Sequence, residues 1–186
     1  LGNGSNLIFN DSGYEVLPVI ISPDRKIELN DNLMMFFTGF TRFSSDVQKS
    51  NIADSPQNKR EMLREMYLLV DEAEKILTNR HTNIDEFGYL LAHTWNIKRK
   101  TGKAVTTDNI DLLYKKGIEA GALGGKLLGA GGGGFLLFYV PKEKQQSVKK
   151  ALDKLMYIPF EFENEGTRVI HYTPEIYMSN SKKQIE

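Results

Sequence analysis

The sequence predicts an α+β domain, a sheet layered by helices on one face, and two observations carry that reading. Apolar, strand-like runs fall near both ends of the chain, and several stretches of helical periodicity lie between them. The composition agrees with one globular domain: 186 residues, 24 Lys plus Arg against 24 Asp plus Glu, and 40% hydrophobic content. A chain of this length buries roughly 70% of its unfolded surface, enough for a core without covalent staples.

The elements follow in order. Glu15 to Ser22 is β-branched and reads as a strand stopped by the turn signal Ser22-Pro23-Asp24. Leu33 to Thr38 is a second apolar strand, whose continuous apolarity predicts burial on both faces or a central position in a sheet, and Gly39 releases the chain. Ser55 before Pro56 is a helix start, and Met62, Met66, Leu69, Val70, Ala73 and Leu77 continue it as a core-facing stripe. Asn83 with Glu86 opens a second helix whose face is Phe87, Leu90, Leu91, Thr94 and Ile97, closed by Gly102. Thr107 and Asp108 cap a third, carrying Ile110, Leu113, Tyr114 and Gly117 and ending near Gly121. A fourth follows Pro141 with Val148, Ala151, Leu152 and Leu155 as its stripe. Tyr157 to Phe162 and Thr167 to Tyr172 read as closing strands joined by a hairpin turn at Asn164-Glu165-Gly166, before a polar tail from Ser179.

Several function classes drop out. With no cysteine there is no disulfide and no thiolate metal site. Zero formal net charge argues against nucleic acid or an anionic membrane as partner, because that affinity comes from clustered Lys and Arg. No run approaches the ~20 apolar residues that span a bilayer. The chain starts at Leu1 without the charged and apolar regions of a signal peptide, so a cytoplasmic location is expected, and so is a fragment of something longer. His81, His93 and His171 lack metal-ligand spacing, and no serine and histidine are arranged as a nucleophile pair.

The informative stretch is Gly121 to Val140. Five of the six residues Gly129, Ala130, Gly131, Gly132, Gly133 and Gly134 are glycine, a run retained where φ must be positive or where a backbone or ligand comes very close. Successive bare amides can also form a nest for phosphate oxygens. Gly129, Gly131 and Gly134 satisfy G-x-G-x-x-G formally, but that fingerprint needs a helix after it, and here the strand-like Phe135 to Val140 follows. Gly125-Lys126 precedes Leu127 rather than Ser or Thr, so the Walker pattern fails too. The alternative is a glycine hairpin with no ligand, although a two-residue turn needs positive φ at only one or two positions.

Gly-Gly-Lys126-Leu-Leu-Gly-Ala-Gly-Gly-Gly-Gly-Phe resembles the C-terminal motif of the GHMP small-molecule kinases. The segments from Phe36 through Arg42 to Asp46, and Trp95-Asn-Ile-Lys-Arg99 ahead of Ala120, resemble the D-glycero-D-manno-heptose 7-phosphate kinase branch, over about Gly13 to Tyr177. The resemblance implies a ferredoxin-like antiparallel sheet layered by helices, with residues 1–12 a remnant of a missing upstream domain, 13–178 the kinase C-terminal domain and 179–186 a tail. It implies ATP and Mg²⁺, bound mainly by the missing N-terminal kinase domain, whose phosphate loop and catalytic Asp have no counterpart here. The glycine loop would support the phosphate site, and this chain alone would be inactive; phosphoryl transfer relies on positioning and electrostatics that half a cleft does not supply.

Two cations join the loop as candidates. Arg42, flanked by Thr38 and Thr41, can bind phosphate bidentately or serve an interface ion pair, and Lys126 sits beside the glycine run. Lys98, Arg99, Lys100 and Lys103 read instead as a helix end whose charges favour the dipole, and Asp46 as part of a helix cap. The expected function is therefore the C-terminal domain of an ATP-dependent kinase acting on the anomeric hydroxyl of the heptose phosphate. The alternatives are a galactokinase- or fucokinase-like sugar kinase domain, or a non-catalytic ferredoxin-like binding or dimerisation module. An apolar face left by the absent half would also permit a homodimer.

Overall fold

The computed structural model describes residues 19–39, 56–102, 105–129 and 131–162, with side chains from residue 60 onward in the helix that begins at 56. Residues 18–160 gather into one compact unit. The boundaries expected after 12 and 178, the strand Thr167 to Tyr172, its hairpin turn and the tail lie outside the described residues.

Helix α1 spans Pro23–Asn32 and β1 Leu33–Phe37; α2 is Pro56–Thr78, α3 Asp85–Lys98 and α4 Asp108–Glu119. Strands β2 (Gly124–Leu127) and β3 (Phe135–Tyr139) come next, then a 3₁₀ turn at Lys142–Lys144 running into α5 (Gln145–Ala151), and β4 (Met156–Ile158). The four strands form one antiparallel sheet in the order β2-β3-β1-β4. This is the α+β class expected, and β1 has the central place its unbroken apolarity called for: Met34 faces Phe138 across one ladder and Phe36 faces Tyr157 across the other.

At the start of the chain the strand expected over Glu15 to Ser22 is corrected in its described part, and residues 15–18 lie outside the described residues. Residues 19–22, the described part, form none, and Ser22 is the N-cap of α1, its hydroxyl accepting from the Arg25 amide at 3.4 Å with Pro23 in the first turn. The Ser-Pro pair starts a helix here instead of ending a strand. That helix buries Arg25, Leu29 and Asn32, and the Arg25 guanidinium donates to the carbonyls of Ile76 and Thr82, both at 2.7 Å, tying α1 to the end of α2. A second correction concerns Tyr157 to Phe162, where only Met156–Ile158 is strand. A third is Val70, which is 59% exposed. The buried side of α2 runs instead through Met62, Met66, Leu69, Ala73 and Ile76, while Leu63, Tyr67 and Val70 line its outer side.

The other helix starts follow the sequence closely. Thr107 caps α4 by accepting from the Ile110 amide, and the Asn83 carboxamide accepts from Asp85 at the head of α3. The core joins Met34 and Phe36 of β1 to Leu136 and Phe138 of β3, with Ile110 and Tyr114 from α4, Val148 and Leu152 at α5, and Trp95 from α3. Tyr114 stacks on Phe138 at 5.8 Å between centroids, and Phe36 meets Phe138 edge-on at 6.2 Å. Two glycines let helices come down on rings: Gly117 onto Phe138 and Gly88 onto Tyr139.

Tyr139 ties α3 to the sheet. Its hydroxyl donates to Asp85 Oδ1 at 2.9 Å, and burial together with that carboxylate pushes the phenol well above its ordinary range. Tyr139→Phe is expected to cost about 1–2 kcal/mol in urea unfolding near neutrality. Because the folded phenol ionises at higher pH than the unfolded one, this contribution is complete below the unfolded value near pH ~10 and is lost above it, a slope the Phe variant lacks.

Candidate functional site

The glycine segment is the connection between β2 and β3, residues 128–134, so it does join two antiparallel strands, as its ligand-free reading required. Its length and shape exceed a turn. Gly129, Gly131, Gly132 and Gly134 all have φ between +75° and +119°, the left-handed region that side chains disfavour.

Three anchors hold the loop. The Gly132 amide donates to the Val105 carbonyl at 3.2 Å, which presses Gly131 so close that a Cβ there would lie 2.7 Å from the same oxygen and 2.8 Å from Val105 Cα. Thr38, just past β1, donates from both its amide and its hydroxyl to the Gly134 carbonyl at 2.9 Å and accepts the Gly134 amide at 3.2 Å. Lys98, the last residue of α3, donates from Nζ to the Gly129 carbonyl at 2.9 Å. The amides of Gly132 and Gly134 are thus spent inside the protein, while those of Gly129, Gly131 and Gly133 have no acceptor among the described residues. A loop with fixed carbonyls and open amides is suited to anion oxygens.

Lys126 stands on β2, opposite Leu137, half-buried beside this loop. Burial pushes its ammonium below the ordinary lysine range; burial does the same to Lys98, where the Lys126 charge adds to the effect. The structure therefore brings together Gly129, Gly131, Gly132, Gly133, Gly134 and Lys126. Ala130 and Arg42 lie outside the described residues, as does Asp46. Lys98 was missed. Its place among four basic residues at a helix end favoured a dipole role, and nothing in the linear sequence says that this one, rather than Arg99, reaches the loop. Arg99 turns to Asp111, at 3.4 Å.

Amides without an acceptor and lysine ammoniums are donors of the kind that phosphate oxygens, such as those of ATP, would accept from. For Mg²⁺, no three acidic or histidine side chains converge among the described residues, and His93 is engaged with Glu65 of α2 at 3.3 Å. No helix among them is long and apolar enough to cross a membrane.

A four-stranded antiparallel sheet under helices, with a glycine loop between its edge strand and the next, is an arrangement this chain shares with solved small-molecule kinases. Residues 69–158 of the chain match the family model described as "GHMP kinases C terminal". Among known proteins it is 28% identical over 163 residues to the D-glycero-alpha-D-manno-heptose 7-phosphate kinase of Campylobacter jejuni, covering 86% of this chain and 48% of that protein. It is 26% identical over 144 residues to the bifunctional fucokinase/GDP-fucose pyrophosphorylase of Arabidopsis thaliana, covering 75% of this chain and 13% of that one. The crystal structure of Methanococcus jannaschii mevalonate kinase superposes with a TM-score of 0.59 at 25% identity, over 70% of this chain and 40% of that chain. The chain thus spans about half the length of the heptose kinase and a smaller part of the fucokinase.

Proposed function

We propose that this chain is the C-terminal half of an ATP-dependent sugar-phosphate kinase that phosphorylates the anomeric hydroxyl of D-glycero-D-manno-heptose 7-phosphate. The observation that carries the substrate is the match to the Campylobacter jejuni heptose 7-phosphate kinase over 86% of the chain. The loop supports the reaction type, because its pinned carbonyls and open amides suit a phosphoryl group. In this reading Gly129 to Gly134 back the phosphate site, Lys126 and Arg42 supply positive charge, and ATP with Mg²⁺ provides the phosphoryl group, held mainly by an N-terminal kinase domain that this chain does not include. The protein acts in the cytoplasm, and the chain alone does not turn over substrate.

The test is phosphotransfer from ATP with Mg²⁺ to heptose 7-phosphate, run on this chain and on the full-length gene product side by side. Turnover by the full-length product alone supports the assignment. A second reading, a fucokinase-like sugar kinase, is favoured by the Arabidopsis match; turnover of fucose in place of the heptose phosphate would establish it. No ATP consumption with any sugar would leave a non-catalytic ferredoxin-like module.

A further inference from the structure

Two half-buried lysines without a counter-charge among the described residues need an explanation. Lys126 lies two residues from Gly124 and so on the same side of β2, the side on which α3 rests, since Gly124 is packed against Gly88 and Ala92 of that helix. Lys98 ends α3 with its ammonium on the Gly129 carbonyl, three residues beyond Lys126, and the Lys126 charge adds to the burial that lowers it. Among the described residues no carboxylate lies within ion-pair distance of either. Asp111, in the first turn of α4, is taken by Arg99 and by the Thr106 hydroxyl at 2.9 Å. A fold that merely needed polar residues here would have no reason to place two like charges together, because each loses hydration and repels the other.

We propose that Lys98 and Lys126 form a two-lysine anion site at the base of the glycine loop, shaped for a phosphoryl group, and that Lys98 is a binding residue as well as the anchor of the loop. This deepens the reading of the loop as a phosphate site and rests on it, but it depends neither on the sugar nor on turnover. One Lys98 proton is held by the Gly129 carbonyl, which fixes the ammonium at the start of the glycine loop. An ammonium has three donors, so two remain for an anion. The same contact couples the loop to the ligand: whatever draws Lys98 also bears on Gly129. A phosphoryl group between the lysines removes the repulsion that the empty site carries.

Calorimetric titration of this chain with sodium tripolyphosphate, without Mg²⁺, tests the pair directly. The wild-type chain is expected to bind, more weakly as salt rises. Lys98→Gln and Lys126→Gln should each weaken binding by about tenfold or more, the double variant should not bind, and Lys115→Gln, an exposed lysine paired with Glu119 on α4, should bind as wild type. Lys126 makes no hydrogen bond to a described loop atom, so Lys126→Gln should melt at or above the wild-type temperature in the absence of anion. The proposal is overturned by a wild-type chain that does not bind, by lysine variants that bind like Lys115→Gln, or by a lowered melting temperature of Lys126→Gln, which would give Lys126 a role in the fold. Binding lost in the lysine variants while the full-length product phosphorylates no sugar sustains the anion site and removes the kinase reading. Full turnover in both lysine variants does the reverse.

Discussion

Gly131→Val in the full-length gene product is expected to lower phosphotransfer by at least about a hundredfold, the scale set by displacing a reacting group by an ångström. Two independent constraints act at this residue. Its φ of +119° is one that a β-branched side chain does not adopt. Its Cβ would also press on the backbone of Val105, which has no rotamer by which to retreat. The loop has to move, and the Gly132 hydrogen bond to Val105 goes with it. Gly129→Ala is the useful contrast, since a Cβ there meets nothing within 4 Å and only the φ of +89° is strained; its effect should be clearly smaller. Steady-state turnover of both variants decides the matter, with a thermal melt to show that each is folded. Wild-type turnover of Gly131→Val would sink the role given to the loop.

Gly124→Ala is expected to cost at least ~3 kcal/mol, beyond the usual range for a single added methyl in a core. The residue sits where α3 crosses the edge strand β2. A Cβ would overlap the Gly88 carbonyl oxygen and lie 2.8 Å from the Ala92 amide nitrogen, so helix and strand backbones meet with only hydrogens between them. Relief requires α3 to lift from β2, which disturbs the Gly88 seat on Tyr139 and the reach of Lys98 to the loop. Scanning calorimetry should show the melting temperature falling by about 10 °C or more. A drop of a degree or two would mean that the helix and strand are not held this closely.

What the sequence disclosed depended on how local the signal was. Thr107 announces the start of α4 because the cap and its partner amide are three residues apart, and β1 announces its central position by five apolar residues in succession. The glycine run was visible as a loop with unusual backbone demands, and positive φ at four of its glycines meets that description. Ser22-Pro23 misled because Ser-Pro serves both as a turn and as a helix start, and α1 carries too few apolar residues to show a stripe. Its stability comes from elsewhere: Arg25 finds carbonyls 51 and 57 residues away. Val70 misled because α2 has apolar residues on more than one side, and spacing alone does not say which side meets α3. The Lys98 anchor is of the same kind. It spans 31 residues and exists only once α3 lies on β2, an approach that requires glycine at both 88 and 124. No pattern along the chain connects those positions.

The single tryptophan of the chain gives these outcomes an optical signature. Trp95 is 1% exposed, its ring 6.2 Å from that of Tyr114, and its indole nitrogen has no hydrogen-bond partner among the described residues. Such an indole emits in the blue, without the relaxation that water or a polar neighbour imposes, and it shifts to the red only when the packing between α3 and α4 opens. It also stands one helical turn before Lys98, on the element that Gly124→Ala would lift. Emission wavelength therefore separates the two failures without any substrate: a chain with a displaced glycine loop keeps its blue spectrum, and a chain whose α3 has left the sheet does not.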